Sequence, residues 1–222
     1  MEQNKEIRQC SVEFKTAPES TTIEGRAIPF NVQSPNREGF REMITPEAVE
    51  GVLEKSDIFL LYNHDRSNGF LARNKKGKGS LSVDVREDGV YFSFTPGIDN
   101  LSKYIWDRVQ RGDLDEMSFA FSVAEDRWEK QTDGVYDRTI TKFDKIYDFS
   151  IVDQSYYGIE NAVGCKRFAE VQEADRIAME EAKRAEEERL EQEKRELEEK
   201  EAQEKEQHLK EYYANLKEQY LK

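Results

Sequence analysis

The sequence has no uninterrupted apolar run of the roughly 18 residues a membrane-crossing helix needs, and Met1-Glu2-Gln3-Asn4-Lys5 lacks the apolar segment of a secretory leader. A cytosolic protein is expected. There is no Lys/Arg-rich stripe either: 34 basic residues stand against 47 acidic ones, a formal net charge of −13 over 222 residues. Duplex DNA and anionic membranes recruit positive charge, so neither is expected as a main partner, and other proteins are. Cysteine is scarce. Cys10 and Cys165 are too few for a disulfide scaffold and have no CxxC spacing, so two reduced thiols are expected. No metal site and no cofactor are expected. Gly77-Lys78-Gly79 is too short for a phosphate loop, and the GxxxxGK[ST] pattern is absent. Histidine is equally sparse, with only His64 and His208.

Gly and Pro also vanish, but only locally. After Arg167 and Phe168 the chain is dominated by Glu, Lys, Arg, Gln and Ala, which marks a boundary between residues 1–168 and 169–222. The second segment holds 18 acidic and 11 basic residues and is built of good helix formers, with Glu-to-basic pairs such as Glu180-Arg184 and Glu201-Lys205 at i,i+4. A long charged helix is expected there. Its apolar seam is thin: Leu190 and Leu197, then Leu209 and Leu216 with Tyr213 and Tyr220. Such a helix can stand alone in solvent, or use this seam for a short coiled coil, a docking contact or a homo-oligomer.

Residues 1–168 are long enough to bury a core of their own and read as β-rich α+β. Apolar residues alternate in short bursts between turn residues. Cys10, Val12 and Phe14 alternate, as do Leu81, Val83 and Val85, and after Asp88-Gly89 come Val90, Phe92 and Phe94, a hairpin pattern. A second hairpin is expected around Asp133-Gly134. One helix is expected from Pro46, with Thr45 as N-cap and Val49 and Leu53 inward, and another carries Leu101, Tyr104, Ile105 and Val109 and stops near Gly112. A small closed or nearly closed barrel surrounded by helices would dispose of so many short strands without long bare edges.

His208 lies in the charged tail, so histidine chemistry in the body falls to His64. It follows Ile58-Phe59-Leu60-Leu61-Tyr62, which reads as a buried strand, and so stands where that strand emerges. Imidazole, with an ordinary pKa of about 6.5, can take and return a proton near neutrality. The alternative is a turn histidine bonded to Asn63 or Asp65. Met117-Ser118-Phe119-Ala120-Phe121-Ser122-Val123-Ala124 alternates large and small residues, which places Ser118 on the small face with Ala120, Ser122 and Ala124. There a hydroxyl has room for an imidazole and a substrate backbone, and a serine nucleophile needs such a base. The alternative is a pair of strand serines facing solvent. In Lys145-Ile146-Tyr147-Asp148-Phe149-Ser150-Ile151-Val152, alternation puts Asp148 on the face of Ile146 and Val152, where a carboxylate needs a partner. An imidazolium would serve, and so would an arginine or a backbone amide. Cys165 with His64 as a cysteine hydrolase is a further combination that composition allows.

At these residues the sequence resembles the prohead proteases of tailed bacteriophages, a family related in fold to the herpesvirus assembly protease. The resemblance runs from about Thr22 to about Asn161. It is carried by ordered blocks: Gly25-Arg26-Ala27-Ile28-Pro29-Phe30-Asn31, Phe40-Arg41-Glu42-Met43-Ile44, Leu60-Leu61-Tyr62-Asn63-His64-Asp65, Met117-Ser118-Phe119-Ala120-Phe121 and Tyr147-Asp148-Phe149-Ser150-Ile151-Val152. It implies a serine endopeptidase with Ser118 as nucleophile, His64 as base and Asp148 as third member, on a herpesvirus-protease-like barrel. Asp148 stands where family members often carry glutamate, and Gln154-Ser155 where Pro-Ala is common. The implied partners are scaffold and major capsid protein, cut inside the assembling prohead in the host cytoplasm, with self-cleavage usual. Arg66, Arg73 or backbone amides near them are the first places to look for oxyanion donors. Two rival functions fit the same residues: a non-enzymatic, scaffold-like assembly factor, and a hydrolase of small esters.

Overall fold

The computed structural model describes residues 5–11, 14, 21–36, 39–153 and 162–220, with side chains at all of these except 11, 162–165, 201 and 211–220. Val12, Gln154, Ser155 and the side chains of Cys165, Tyr213, Leu216 and Tyr220 therefore lie outside the described residues. The chain forms two compact units, Met1–Phe168 and Ala169–Lys222.

In the first unit the strands are β1 (Glu6–Ser11), β2 (Ile23–Pro29), β3 (Phe40–Ile44), β4 (Asp57–Tyr62), β5 (Ala72–Lys75), β6 (Lys78–Gly79), β7 (Ser82–Arg86), β8 (Gly89–Phe94), β9 (Glu116–Lys130) and β10 (Tyr136–Val152). They form a seven-stranded sheet of order β1-β9-β10-β4-β5-β6, with β3 also on β10, and a three-stranded sheet of order β2-β8-β7. This is a mixed α+β fold of two sheets and not the expected closed barrel. The 17-residue β10 explains the difference. It pairs antiparallel with β9 along one side, while its other side takes two parallel partners in succession, β3 at residues 136–140 and β4 at 148–151. The large sheet thus branches instead of curling onto itself.

Alternation fixes the registers. Phe119 and Phe121 of β9 and Ile58 and Leu60 of β4 point into one core with Phe92 of β8 and Phe149 of β10. Slipping β9 by one residue would eject both phenylalanines from that core, at about 1.5–3 kcal/mol each. The same residues therefore fix which way Ser118 faces. The β7–β8 hairpin turns through Glu87-Asp88 and the β9–β10 hairpin through Gln131–Val135, where Gly134 takes a φ of 82°.

Helix α1 (Asn100–Gln110) buries Ile105 and Val109, with Asp99 as N-cap accepting a hydrogen bond from the Ser102 amide and Gly112 in the left-handed conformation beyond its end. The helix expected from Pro46 is only a 3₁₀ turn, Pro46–Val49. Thr45 makes no side-chain cap, and Gly51, at φ 65°, takes the chain out of helical geometry. Leu53 is consequently only partly buried.

Helix α2 (Ala162–Tyr220) starts within the first unit, where Phe168 stacks on Trp128 and packs against Phe40 and Tyr136. The second unit is helical over its described length. Its charges pair along the helix: Arg176 bridges Glu173 and Glu180, Arg195 meets Glu191 and Lys210 meets Glu206. Glu180 thus reaches back to Arg176 rather than forward to Arg184. Leu190, Leu197 and Leu209 are exposed. No described helix is long and apolar enough to cross a membrane.

Candidate active site

His64 is mounted on a tight turn. Asn63 and His64 both adopt left-handed φ values, 53° and 57°, a conformation Asn and His tolerate better than most side chains but at some cost in strain. Four interactions hold it. The Asn63 amide donates to the Ile151 carbonyl at 3.0 Å, the Asp65 amide closes the turn on Tyr62, Asn63 Nδ2 donates to Asp153, and the His64 amide donates to Ser150 Oγ at 3.1 Å. The turn is thereby pinned to the end of β10, with the imidazole over the sheet face.

A β-bulge brings the carboxylate to that face. Ile146 pairs with Phe121 but Asp148 pairs with Ala120, so Tyr147 and Asp148 together oppose one residue of β9. Plain alternation puts Asp148 beside Ile146, and this expectation is corrected here. Ile146 enters the core, whereas the extra residue turns Asp148 onto the face of Ala120 and Ser118. On this face Ser118 lies directly across from Ser150.

The three side chains singled out in the sequence meet. His64 Nε2 lies 2.6 Å from Ser118 Oγ, and His64 Nδ1 lies 2.5 Å from Asp148 Oδ1. An ionised carboxylate can only accept, so the Nδ1 proton belongs on the Asp148 side and the Nε2 lone pair faces the serine hydroxyl. Burial opposes ionisation of Asp148 most strongly. The His64 ring, and then Lys5 at 3.1 Å, outweigh it and hold the carboxyl below the usual range. Ser118 has no exposed surface, and the His64 side chain keeps 13%. The Ser118 hydroxyl is enclosed by that ring and by the Arg8 carbonyl of β1, to which it also donates at 3.0 Å. Its proton therefore has two acceptors, of which only Nε2 can carry it away.

Two participants went unread in the sequence. Ser150 Oγ donates to Asp148 Oδ1 at 3.1 Å, accepts from the His64 amide and lies 3.2 Å from Nδ1. Its position two residues beyond Asp148 on the same strand face is the signal that could have found it. Lys5 had no such signal, since its contact with Asp148 spans 143 residues. Arg73 is tied to Asp57 by two hydrogen bonds and Arg66 stacks on Phe59 at 3.9 Å, so both belong to a cleft beyond Asp148, and neither bonds to Ser118. Cys10 donates weakly to the carbonyls of Arg26 and Ala27, and burial pushes its thiol up to about 12, so it is no thiolate at neutral pH. Among the described residues no group of three or more His, Cys, Asp or Glu is arranged to hold a metal ion.

The profile of a family described as caudovirus prohead serine protease matches residues 5–173, a span that contains His64, Ser118 and Asp148. Among solved structures, that of the bacteriophage T4 capsid assembly protease, gp21, is similar at 10% identity and a TM-score of 0.43, covering 68% of this chain and 98% of that one. Among curated proteins nothing matches.

Proposed function

This chain belongs to the caudovirus prohead serine protease family, and from that premise we propose that Ser118, His64 and Asp148 are the catalytic triad of a capsid-maturation protease. The observation that carries the assignment is the unbroken relay from Asp148 Oδ1 through both nitrogens of His64 to Ser118 Oγ, at 2.5 and 2.6 Å. Ser118 Oγ attacks the scissile carbonyl carbon while its proton passes to Nε2. Asp148 holds Nδ1–H and balances the imidazolium charge. The proton on Nε2 then goes to the departing amine, leaving an ester on Ser118. Water hydrolyses that ester: Nε2 takes a proton from the attacking water and returns it to Ser118 Oγ as the carboxylic acid product leaves.

The proposed substrates are the scaffold protein and an N-terminal segment of the major capsid protein, with self-cleavage, inside the assembling prohead. Kinship in fold with the herpesvirus assembly protease stays part of this reading and rests on the sequence blocks. Residues 169–222 are proposed as a docking segment for scaffold or shell, because their described residues carry no part of the relay and are almost all solvent-exposed helix.

The test is co-expression with the capsid and scaffold proteins, followed by intact-mass analysis. Wild type is expected to generate a new capsid N-terminus and Ser118→Ala none. Equal cleavage by both would remove Ser118 from the mechanism.

A further inference from the structure

The face that carries the relay continues into a cleft of about 430 Å³ lined by β4, β5 and β10. Register places it. Phe59 of β4 pairs with Asp148 of β10, which pairs with Ala120 of β9, two residues along from Ser118. Two strand residues span about 7 Å, which is also the distance between side chains on one face of an extended peptide. A peptide whose carbonyl sits at Ser118 therefore brings a side chain within two residues of the scissile bond to this cleft.

The cleft is positive on a chain that is negative overall. Lys5, Arg66, Arg73 and Lys145 line it against two carboxylates, Asp57 and Asp148. Both carboxylates are engaged, Asp57 by Arg73 and Asp148 by His64 and Lys5. Aromatic rings hold the cations in place. Arg66 and Arg73 lie over Phe59 at 3.9 and 4.6 Å, and Lys145 lies over Tyr147 at 4.4 Å. A ring fixes a guanidinium without neutralising its charge or occupying its N–H donors. The Arg66 guanidinium makes no hydrogen bond or ion pair with any described residue, and only the backbone carbonyl of Arg66 is engaged, by the Gly69 amide. Its fork of donors suits a carboxylate, which it can bind bidentately.

We propose that this cleft is a specificity subsite that takes an acidic side chain of the substrate peptide, with Arg66 as its main ligand. The inference rests on the proteolytic reading above and adds the substrate class. An aspartate or glutamate within two residues of the cut exchanges water for the Arg66 fork and the field of Lys145, while a lysine there is repelled.

The test has two stages. Cleavage sites are first mapped by mass spectrometry on capsid and scaffold proteins digested by wild type. Acidic residues are expected to be enriched within two positions of the cut. A synthetic peptide spanning a mapped site is then compared with its Glu→Gln and Glu→Lys forms on wild type and Arg66→Glu. On wild type, Glu→Gln is expected to raise KM at least tenfold with kcat within about twofold, and Arg66→Glu to do the same to the acidic peptide while recovering the lysine peptide. Labelling of Ser118 by a fluorophosphonate, unchanged in Arg66→Glu, excludes misfolding as the cause. Cuts without acidic enrichment, or a KM that ignores Arg66→Glu, would overturn the subsite and leave the protease reading standing. Failure of wild type to cut at all would remove both.

Discussion

The two halves of β10 each support a buried polar cluster, and they differ in how completely those clusters are closed. At residues 136–140 the strand presents Arg138, fully buried, to Glu6 of β1, Glu42 of β3 and Asp126 of β9. Arg8 bonds the same two glutamates at 2.6 Å, and Arg167 bonds Asp126. Three arginines face three carboxylates, and each charge is matched. Burial alone would push Glu42 toward its neutral form, but Arg8 first and then Arg138 hold its carboxyl below the usual range. At residues 148–151 the cluster is looser: one carboxylate, one imidazole, two hydroxyls and the partly exposed ammonium of Lys5, with a proton on Ser118 that has two acceptors. Buried polarity alone therefore does not mark an active site. What separates the clusters is that one leaves a proton free to move and the other leaves nothing to exchange.

The largest effect that would break this contrast is on rate. Asp148→Asn keeps the shape but favours the wrong imidazole tautomer, and kcat is expected to fall by about 10⁴ with the protein still folded. Single-turnover cleavage and a melting curve measure the two quantities. A variant that turned over normally would give the carboxylate's role to another group. Next comes Arg138→Met, at the closed end. Truncating one partner of a buried ion cluster strands the others, at about 3–5 kcal/mol. Urea unfolding is expected to show that loss, while the folded fraction of the variant keeps its turnover number. A large fall in kcat instead would mean that the two ends of β10 are one functional unit.

These clusters also differ in how far they could be read in the sequence. The placement of Ser118 follows from Phe119 and Phe121, whose spacing fixes the face of β9, and His64 could be set at a strand end because Ile58-Phe59-Leu60-Leu61-Tyr62 is so plainly a buried strand. Asp148 could be named from chemistry and shares a face with Val152 as expected, but not with Ile146, because the bulge between them is a backbone event that leaves no mark in the pattern of residue types. The branching of the sheet was equally hidden: nothing in Tyr136–Val152 reports that its two ends pair with different strands. The Arg138 cluster was illegible for a further reason. Its bonded partners lie up to 132 residues apart, and each taken alone resembles an ordinary solvent-facing charge.

A middle-sized prediction sharpens the open end of the comparison. Ser150→Ala removes one donor from Asp148 and the brace on the His64 amide. Hydrogen bonds to a charged group are worth about 1.5–3 kcal/mol, so kcat is expected to fall about 10- to 100-fold with KM unchanged. Restoration by Thr, which keeps the hydroxyl, separates positioning from packing. A KM effect with unchanged kcat would show that Ser150 meets substrate instead.

The smallest effect tests the outermost contact of the relay. Lys5 is about one-third exposed where it meets Asp148, so solvent screens the pair, and Lys5→Met is expected to cost less than about 1 kcal/mol. Its signature is the pH dependence. Asp148 titrates below its ordinary value when folded, so its contribution to stability is present above the unfolded carboxylate range and is lost as pH falls through the folded value. Without Lys5 that depression shrinks, so the variant is less stable at neutral pH and loses the contribution earlier on acidification. Once Asp148 is protonated it no longer responds to Lys5, and the melting temperatures of the two proteins must converge. Curves that coincide at neutral pH would mean that the pair is not formed in solution. Curves that stay parallel into acid would place the effect of Lys5 somewhere other than this carboxylate.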